Sequence, residues 1–217
     1  RRPARCCRRR RWWSMMATQE HWDAIYQTRA TEDLGWYEPS PSTLDLVRRY
    51  STPSDPVIDV GGGDSRMVDE LVEAGYEDVT ILDLSHAALE RSRARLGPIA
   101  GNVTWIRADA TDWEPASTWT LWHDRAVFHF LTTEHDRRCY VETARRAIAP
   151  GGHLVIATFA PGGPEQCAGL PVERYDAEGL ASVFGSDFGL VEHTELSGQS
   201  AEVGDRRPYV VVVMQRR

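Results

Sequence analysis

The residues with the clearest chemical potential are a run of glycines and three acids. Val57-Ile58-Asp59-Val60 reads as a buried strand and runs directly into Gly61-Gly62-Gly63-Asp64. Glycines at 61 and 63, between a strand and a helix, let the backbone turn sharply and approach a ligand closely. A dinucleotide-binding turn of the G-x-G-x-x-G kind needs a third glycine at position 66, where this chain carries Arg66. Asp59 lies inside the strand, two residues before Gly61. A carboxylate there repels a pyrophosphate and suits a ligand bearing an ammonium or sulfonium group. Asp83, at the end of a second strand and twenty residues after Gly63, is placed to accept from both hydroxyls of a ribose. Asp109 follows a third strand, where its side chain could accept from an adenine amino group. Acids at successive carboxyl ends of parallel strands face one crevice.

A second group follows the fourth strand, in His123-Asp124-Arg125-Ala126-Val127-Phe128-His129-Phe130. Asp124 could orient an incoming amine or take its proton, or could instead pair with Arg125. His123 or His129 could serve as a base, or could be packed in the interior. Trp22, Tyr26, Trp36 and Tyr37 could roof the crevice and offer a cation–π face, although aromatics at helical spacing also pack cores. Residues 160–175, rich in Gly and Pro, read as a loop beside the site that could act as a lid. Cys167 within it is either a reactive thiol or a small buried residue. No His/Cys spacing predicts a metal site.

These residues need a scaffold of alternating strands and helices. Strands are expected at Val57–Val60, Val79–Leu82, Val103–Ile106, Trp119–His123 and His153–Phe159, with two closing strands near Gly189–Glu195 and Tyr209–Gln215. Between them fall helices at Ser65–Ala74, from Ser85 to Leu96, from Thr132 or Thr133 to Ala149, and at Asp176–Gly185. Ahead of them, Gln19–Arg29 and a segment opening at Ser40-Pro41 read as helices of an N-terminal cap spanning about 18–52. The pattern predicts βαβ units and a parallel sheet in an α/β domain over residues 17–217.

Composition narrows the chemistry. The 217 residues carry a net charge of −7 and contain no lysine, so all 25 basic side chains are arginine. That excludes lysine Schiff bases, the phosphate-loop lysine and the Tyr-x-x-x-Lys relay of short-chain reductases. Seven arginines lie in the first eleven positions, leaving 18 basic against 32 acidic residues in the remainder. So acidic a body argues against nucleic acid or anionic membrane as the main partner. Residues 1–16 are expected to be a disordered tail or a non-native start, with the natural start at Met15 or Met16. No apolar run reaches membrane-spanning length. The four cysteines form neither a disulfide framework nor a CxxC pair, which favours a reducing, cytoplasmic setting.

Taken together, these residues resemble the class I S-adenosylmethionine-dependent methyltransferases. Asp59-Val60-Gly61-Gly62-Gly63 is similar to their glycine-rich first motif, Asp83-Leu84 to their ribose-binding segment, and Asp109-Ala110 to their adenine-side motif. Ala149-Pro150-Gly151-Gly152 resembles the turn before their fifth strand. The resemblance implies a Rossmann-like, seven-stranded, mostly parallel sheet with helices on both faces and an antiparallel last strand. It implies S-adenosyl-L-methionine as cofactor, held by Trp22, Tyr26, Trp36, Asp59, Gly61, Gly63, Asp83, Leu84, Asp109 and Ala110. Asp124, His123 and His129 fall where the family meets its acceptor. Trp22-Asp23-Ala24-Ile25-Tyr26 and Gly35-Trp36-Tyr37 resemble a subgroup holding citrate-synthase and elongation-factor lysine methyltransferases and many bacterial enzymes. A small-molecule acceptor is expected, with a basic protein as the alternative. A nicotinamide oxidoreductase, which would want the missing glycine and lysine, and a catalytically silent binding module are the rival readings.

Overall fold

The computed structural model describes residues 18–199 and 206–217. The arginine-rich start, including the boundary expected between residues 16 and 17, lies outside them. Seven strands form the main sheet: β1 (Val57–Val60), β2 (Val79–Asp83), β3 (Val103–Arg107), β4 (Trp119–Arg125), β5 (Ile148–Phe159), β8 (Phe188–Gln199) and β9 (Arg206–Arg216). Their spatial order is β3-β2-β1-β4-β5-β9-β8. The first five run parallel, and β9 enters antiparallel between β5 and β8. The strand order reverses between β1 and β4, and crevices open at such a switch point beyond the carboxyl ends of the strands.

Helices cover both faces, which explains why β1 is buried along its whole length and reads as a continuous apolar run broken only by Asp59. Side chains alternate across the sheet. Ile58, Val60, Leu82 and Trp122 point to a layer completed by Tyr140, Ala144, Leu180 and Phe184 from α5 (Glu134–Ala147) and α6 (Ala177–Phe184). Val57, Ile81, Leu121 and Val155 point to the other layer. There they meet α2 (Leu44–Tyr50), α3 (Met67–Glu73) and α4 (His86–Leu96) through Val47, Leu71 and Leu89.

The N-terminal segment crosses the carboxyl end of the sheet. Its first helix, α1 (Gln19–Thr28), starts on Thr18, whose hydroxyl accepts from the N–H of His21. Asp23 on α1 accepts from the hydroxyl of Ser85 at 2.6 Å and the N–H of Ala87 at 3.0 Å, so α1 supplies a carboxylate to the N-terminus of α4. Tyr26, Leu34 and Ala88 pack together behind this contact.

Several boundaries differ from the sequence reading. The helix expected from Ser40 begins at Leu44, because residues 41–43 form a turn instead. Helix α5 stops at Ala147, and β5 starts at Ile148, earlier than His153. The stretch expected to be wholly irregular contains a small hairpin of β6 (Gln166–Cys167) and β7 (Leu170–Pro171). Gly169, at φ +77°, makes its turn.

Candidate active site

A cleft lies at the switch point, between the ends of β1 and β4 and the segment 26–43. The sheet contributes Asp59, Gly61, His123 and Arg125 to its walls, and the cap contributes Tyr26, Trp36, Glu38 and Thr43. The turn after β1 forms its floor. Gly61 has φ +70°, and a Cβ added there would stand 2.0 Å from Cγ2 of Val127, in the turn that follows β4. Only glycine satisfies both the dihedral and the space. Gly61→Ala should therefore lower unfolding stability by about 2–3 kcal/mol in urea titration. Adding Val127→Ala should recover part of that loss, because it removes the clash but leaves the backbone strain.

Two of the acids predicted from spacing, Asp59 and Asp83, stand beside this turn. Asp59 is 2% exposed; its Oδ1 accepts from Nδ1 of His123 at 2.6 Å, and its Oδ2 has no hydrogen-bond partner among the described residues. Asp83, on the same face of the neighbouring strand, accepts from the N–H of Ser85 at 2.7 Å. Its Oδ2 would lie 2.7 Å from a Cβ on Gly63. Burial, with the charges of Asp59 and Asp23 acting in the same direction, pushes the Asp83 carboxyl up to about 7, while the N–H groups of Ser85 and Gly63 pull it back. Asp109 stands just past the end of β3 and accepts from the N–H and hydroxyl of Thr111 at 2.9 and 2.6 Å. Ala110 beside it is buried in the main core, and Leu84 follows Asp83 at the end of β2. Asp83, Leu84, Asp109 and Ala110 lie outside the cleft's lining.

Of the four aromatics, Tyr26, Trp36 and Tyr37 line the cleft. Trp22 does not; it meets Trp36 and Phe130 edge-on at 5.8 and 5.1 Å and braces the roof from behind. The roof is tied down by three side chains from two strands. Arg125 on β4 donates to the carbonyl of Trp36 at 2.9 Å and pairs with Glu38 at 2.7 Å. Arg207 on β9 donates to the carbonyl of Gly35 at 3.1 Å, and His123 on β4 meets Thr43 at 2.8 Å.

Two residues expected to face the acceptor are placed elsewhere. Successive strand residues point to opposite faces, so His123 reaches the cleft while Asp124 enters the layer beneath. Asp124 is fully buried; it accepts from the N–H groups of Val127 and Phe128 and from the hydroxyl of Tyr140. Tyr140 also accepts from the indole N–H of Trp122 at 2.9 Å. This network shapes the turn after β4. His129 is buried between Phe130 and Phe159, at ring distances of 4.5 and 4.6 Å, with neither nitrogen bonded among the described residues. Burial pushes its imidazole down to about 3, so it stays neutral and is a poor base. Cys167 is likewise buried, and burial raises its thiol to about 11, which disfavours the nucleophilic thiolate.

Sequence reasoning missed Thr43, Glu38 and Asp64. Asp64 pairs with Arg91 and Arg95 of α4 and accepts from Thr31 of the cap. Its place directly after Gly63 was the available signal. Thr43 and Glu38 gave none, because their partners lie on strands far along the chain.

Comparisons with known proteins agree with this geometry. Residues 57–152 match the family described as "Methyltransferase domain". The chain is 25% identical over 199 residues to the eEF1A lysine and N-terminal methyltransferase of Xenopus laevis, an alignment covering 91% of this chain and 28% of that protein. The chain thus spans less than a third of that relative's length. It is 30% identical over 164 residues to EEF1A lysine methyltransferase 2 of Mus musculus, covering 67% of this chain and 66% of the relative. The crystal structure of an SAM-dependent methyltransferase from Anabaena variabilis superposes with a TM-score of 0.72 at 16% identity, covering 94% of this chain and 99% of that one. A sheet of this order with a glycine-floored, carboxylate-lined switch point defines the class, and the matched domain agrees with it. The chain belongs to the class I S-adenosylmethionine-dependent methyltransferases. Within that class its curated relatives include methyltransferases that act on elongation factor 1A.

Proposed function

We propose that this protein transfers a methyl group from S-adenosylmethionine to a small acceptor held under the 18–52 cap. The observation that carries the choice of acceptor is the roof: Arg125, Arg207 and His123 fasten the segment 35–43 over the cleft. So covered a cleft suits a compact molecule better than the flat surface of a folded protein.

The residues present fit the cofactor. Asp59 offers an unpartnered carboxylate oxygen to the ammonium of its amino-acid tail, and Gly61 and Gly63 let the chain approach closely. Asp83 is assigned to the ribose hydroxyls, Asp109 with Leu84 and Ala110 to the adenine side, and Tyr26 and Trp36 to the cap-side wall. Bound there, the cofactor supplies an electrophilic methyl carbon on a sulfonium. The protein's part is alignment of the acceptor's lone pair and exclusion of water. Arg125 and Glu38, which line the cleft as a bonded pair, are the groups assigned to acceptor orientation.

A second reading is a protein-lysine acceptor. It is favoured by what the two relatives are called, and by the net charge of −7, which would attract a basic partner. Incubation with methyl-labelled S-adenosylmethionine and a fractionated cell extract tests both. The small-acceptor reading expects label in the acid-soluble, low-mass fraction; label confined to precipitated protein overturns it. The chain has no lysine side chain of its own to take up label, so self-methylation cannot imitate the second reading at that residue type.

A further inference from the structure

Three buried side chains from distant parts of the chain form a line between the cap and the floor of the cleft. Thr43 Oγ1 lies 2.8 Å from Nε2 of His123, and Nδ1 of His123 lies 2.6 Å from Oδ1 of Asp59. All three are no more than 2% exposed. With Nδ1–H donating to the carboxylate, Nε2 shares the second hydrogen bond with the threonine hydroxyl. Two details argue that this line does more than hold the chain together. Thr43 occupies the N-cap of α2, where a threonine side chain ordinarily accepts from its own helix, yet its hydroxyl makes no such bond. And Asp59 is left half used, its Oδ2 without a partner and 2.5 Å from where a Cβ on Gly62 would stand. A buried carboxylate oxygen kept unpaired at a close-approach glycine is poised for a charged donor from outside the chain.

We propose that His123 and Thr43 are positioning residues for Asp59, holding one oxygen so that the other faces the ammonium group of the cofactor's amino-acid tail. Because Thr43 belongs to the cap, seating the cap and engaging that ammonium become one linked event. The inference rests on the S-adenosylmethionine reading above.

The test compares two ligands by calorimetric titration: S-adenosylhomocysteine, which carries the tail ammonium, and 5′-methylthioadenosine, which lacks the amino-acid tail. Thr43→Val should weaken S-adenosylhomocysteine by about tenfold and leave 5′-methylthioadenosine unchanged, while Thr43→Ser, which keeps the hydroxyl, should restore wild-type affinity. His123→Asn is read in the same way and serves where Thr43→Val fails to fold. Equal weakening of both ligands, or no weakening of either, overturns the proposal, because a merely structural tie would not distinguish the tail. If the unaltered protein binds neither ligand, the cofactor reading itself falls and takes this inference with it.

Discussion

Asp83→Ala should reduce affinity for S-adenosylhomocysteine by a hundredfold or more, and the same carboxylate should make binding depend on pH. A ribose offers two hydroxyls, and each charge-assisted hydrogen bond to a buried carboxylate is worth about 1.5–3 kcal/mol. Burial raises the Asp83 carboxyl from 3.8 to about 7 in the free protein. Hydroxyl donors favour the ionised form, so binding below that value must release a proton. Affinity should therefore fall as the solution is taken from about pH 8 to about pH 6, and titrations in buffers of different ionisation enthalpy should report the proton. The stability consequence has the opposite sense. The folded protein keeps a proton on Asp83 that the unfolded chain gives up from about pH 4, so the free protein loses stability as pH rises from there to about 7. Asp83→Asn removes that dependence. It should be more stable than the parent at about pH 8, by up to roughly 4 kcal/mol, while still binding the ligand poorly. A variant that binds normally, or a parent whose affinity is flat across this range, would remove Asp83 from the cofactor site.

The largest loss of stability is expected at Asp124. Asp124→Ala leaves the hydroxyl of Tyr140 and the N–H groups of Val127 and Phe128 without an acceptor in a fully buried layer. The cost should be about 3–5 kcal/mol in urea titration. Asp124→Asn keeps a carbonyl for Val127 and should cost less. Tyr140→Phe, which strands the Trp122 indole N–H and one oxygen of Asp124, should cost about 1–3 kcal/mol. Any activity lost by these variants should follow the unfolded fraction and return when they are stabilised, for instance by saturating cofactor. Burial holds the Asp124 carboxyl at about 6 against the pull of those donors, so, as with Asp83, the fold weakens as pH rises from about 4 to that value. A stable Asp124→Ala protein with no activity would instead return this residue to the reacting groups.

What could be read from the chain follows the range of the interactions. The strand, glycine turn and acid of Asp59–Gly63 are local, and the alternation of strands and helices fixes the order in which Asp83 and Asp109 appear. The direction of a side chain on β4 is a different kind of fact. It depends on the strand's register, which shifts against β5 between Trp119 and Leu121, and no local pattern reveals whether His123 or Asp124 takes the cleft side. His129 looked like a base because histidine titrates near neutrality; its enclosure by Phe130 and Phe159, the latter thirty residues onward, removes that property. Thr43 and Glu38 are defined by partners on β4, eighty residues away for Thr43 and still farther for Glu38. Asp23 is the same case: its position on α1 reads as an exposed helical acid until the N-terminus of α4 is brought against it.

The placement of β9 bears on how the chain assembles during synthesis. Val211, Val212 and Val213 are wholly enclosed, yet they are made after both strands that flank them. Until they emerge from the ribosome, one border of β5 offers unpaired amide and carbonyl groups beside bare apolar surface, the kind of template on which neighbouring nascent chains stick together. Pauses in translation beyond β8 should thus favour aggregation over maturation, and a chaperone that shields β5 would act in that interval.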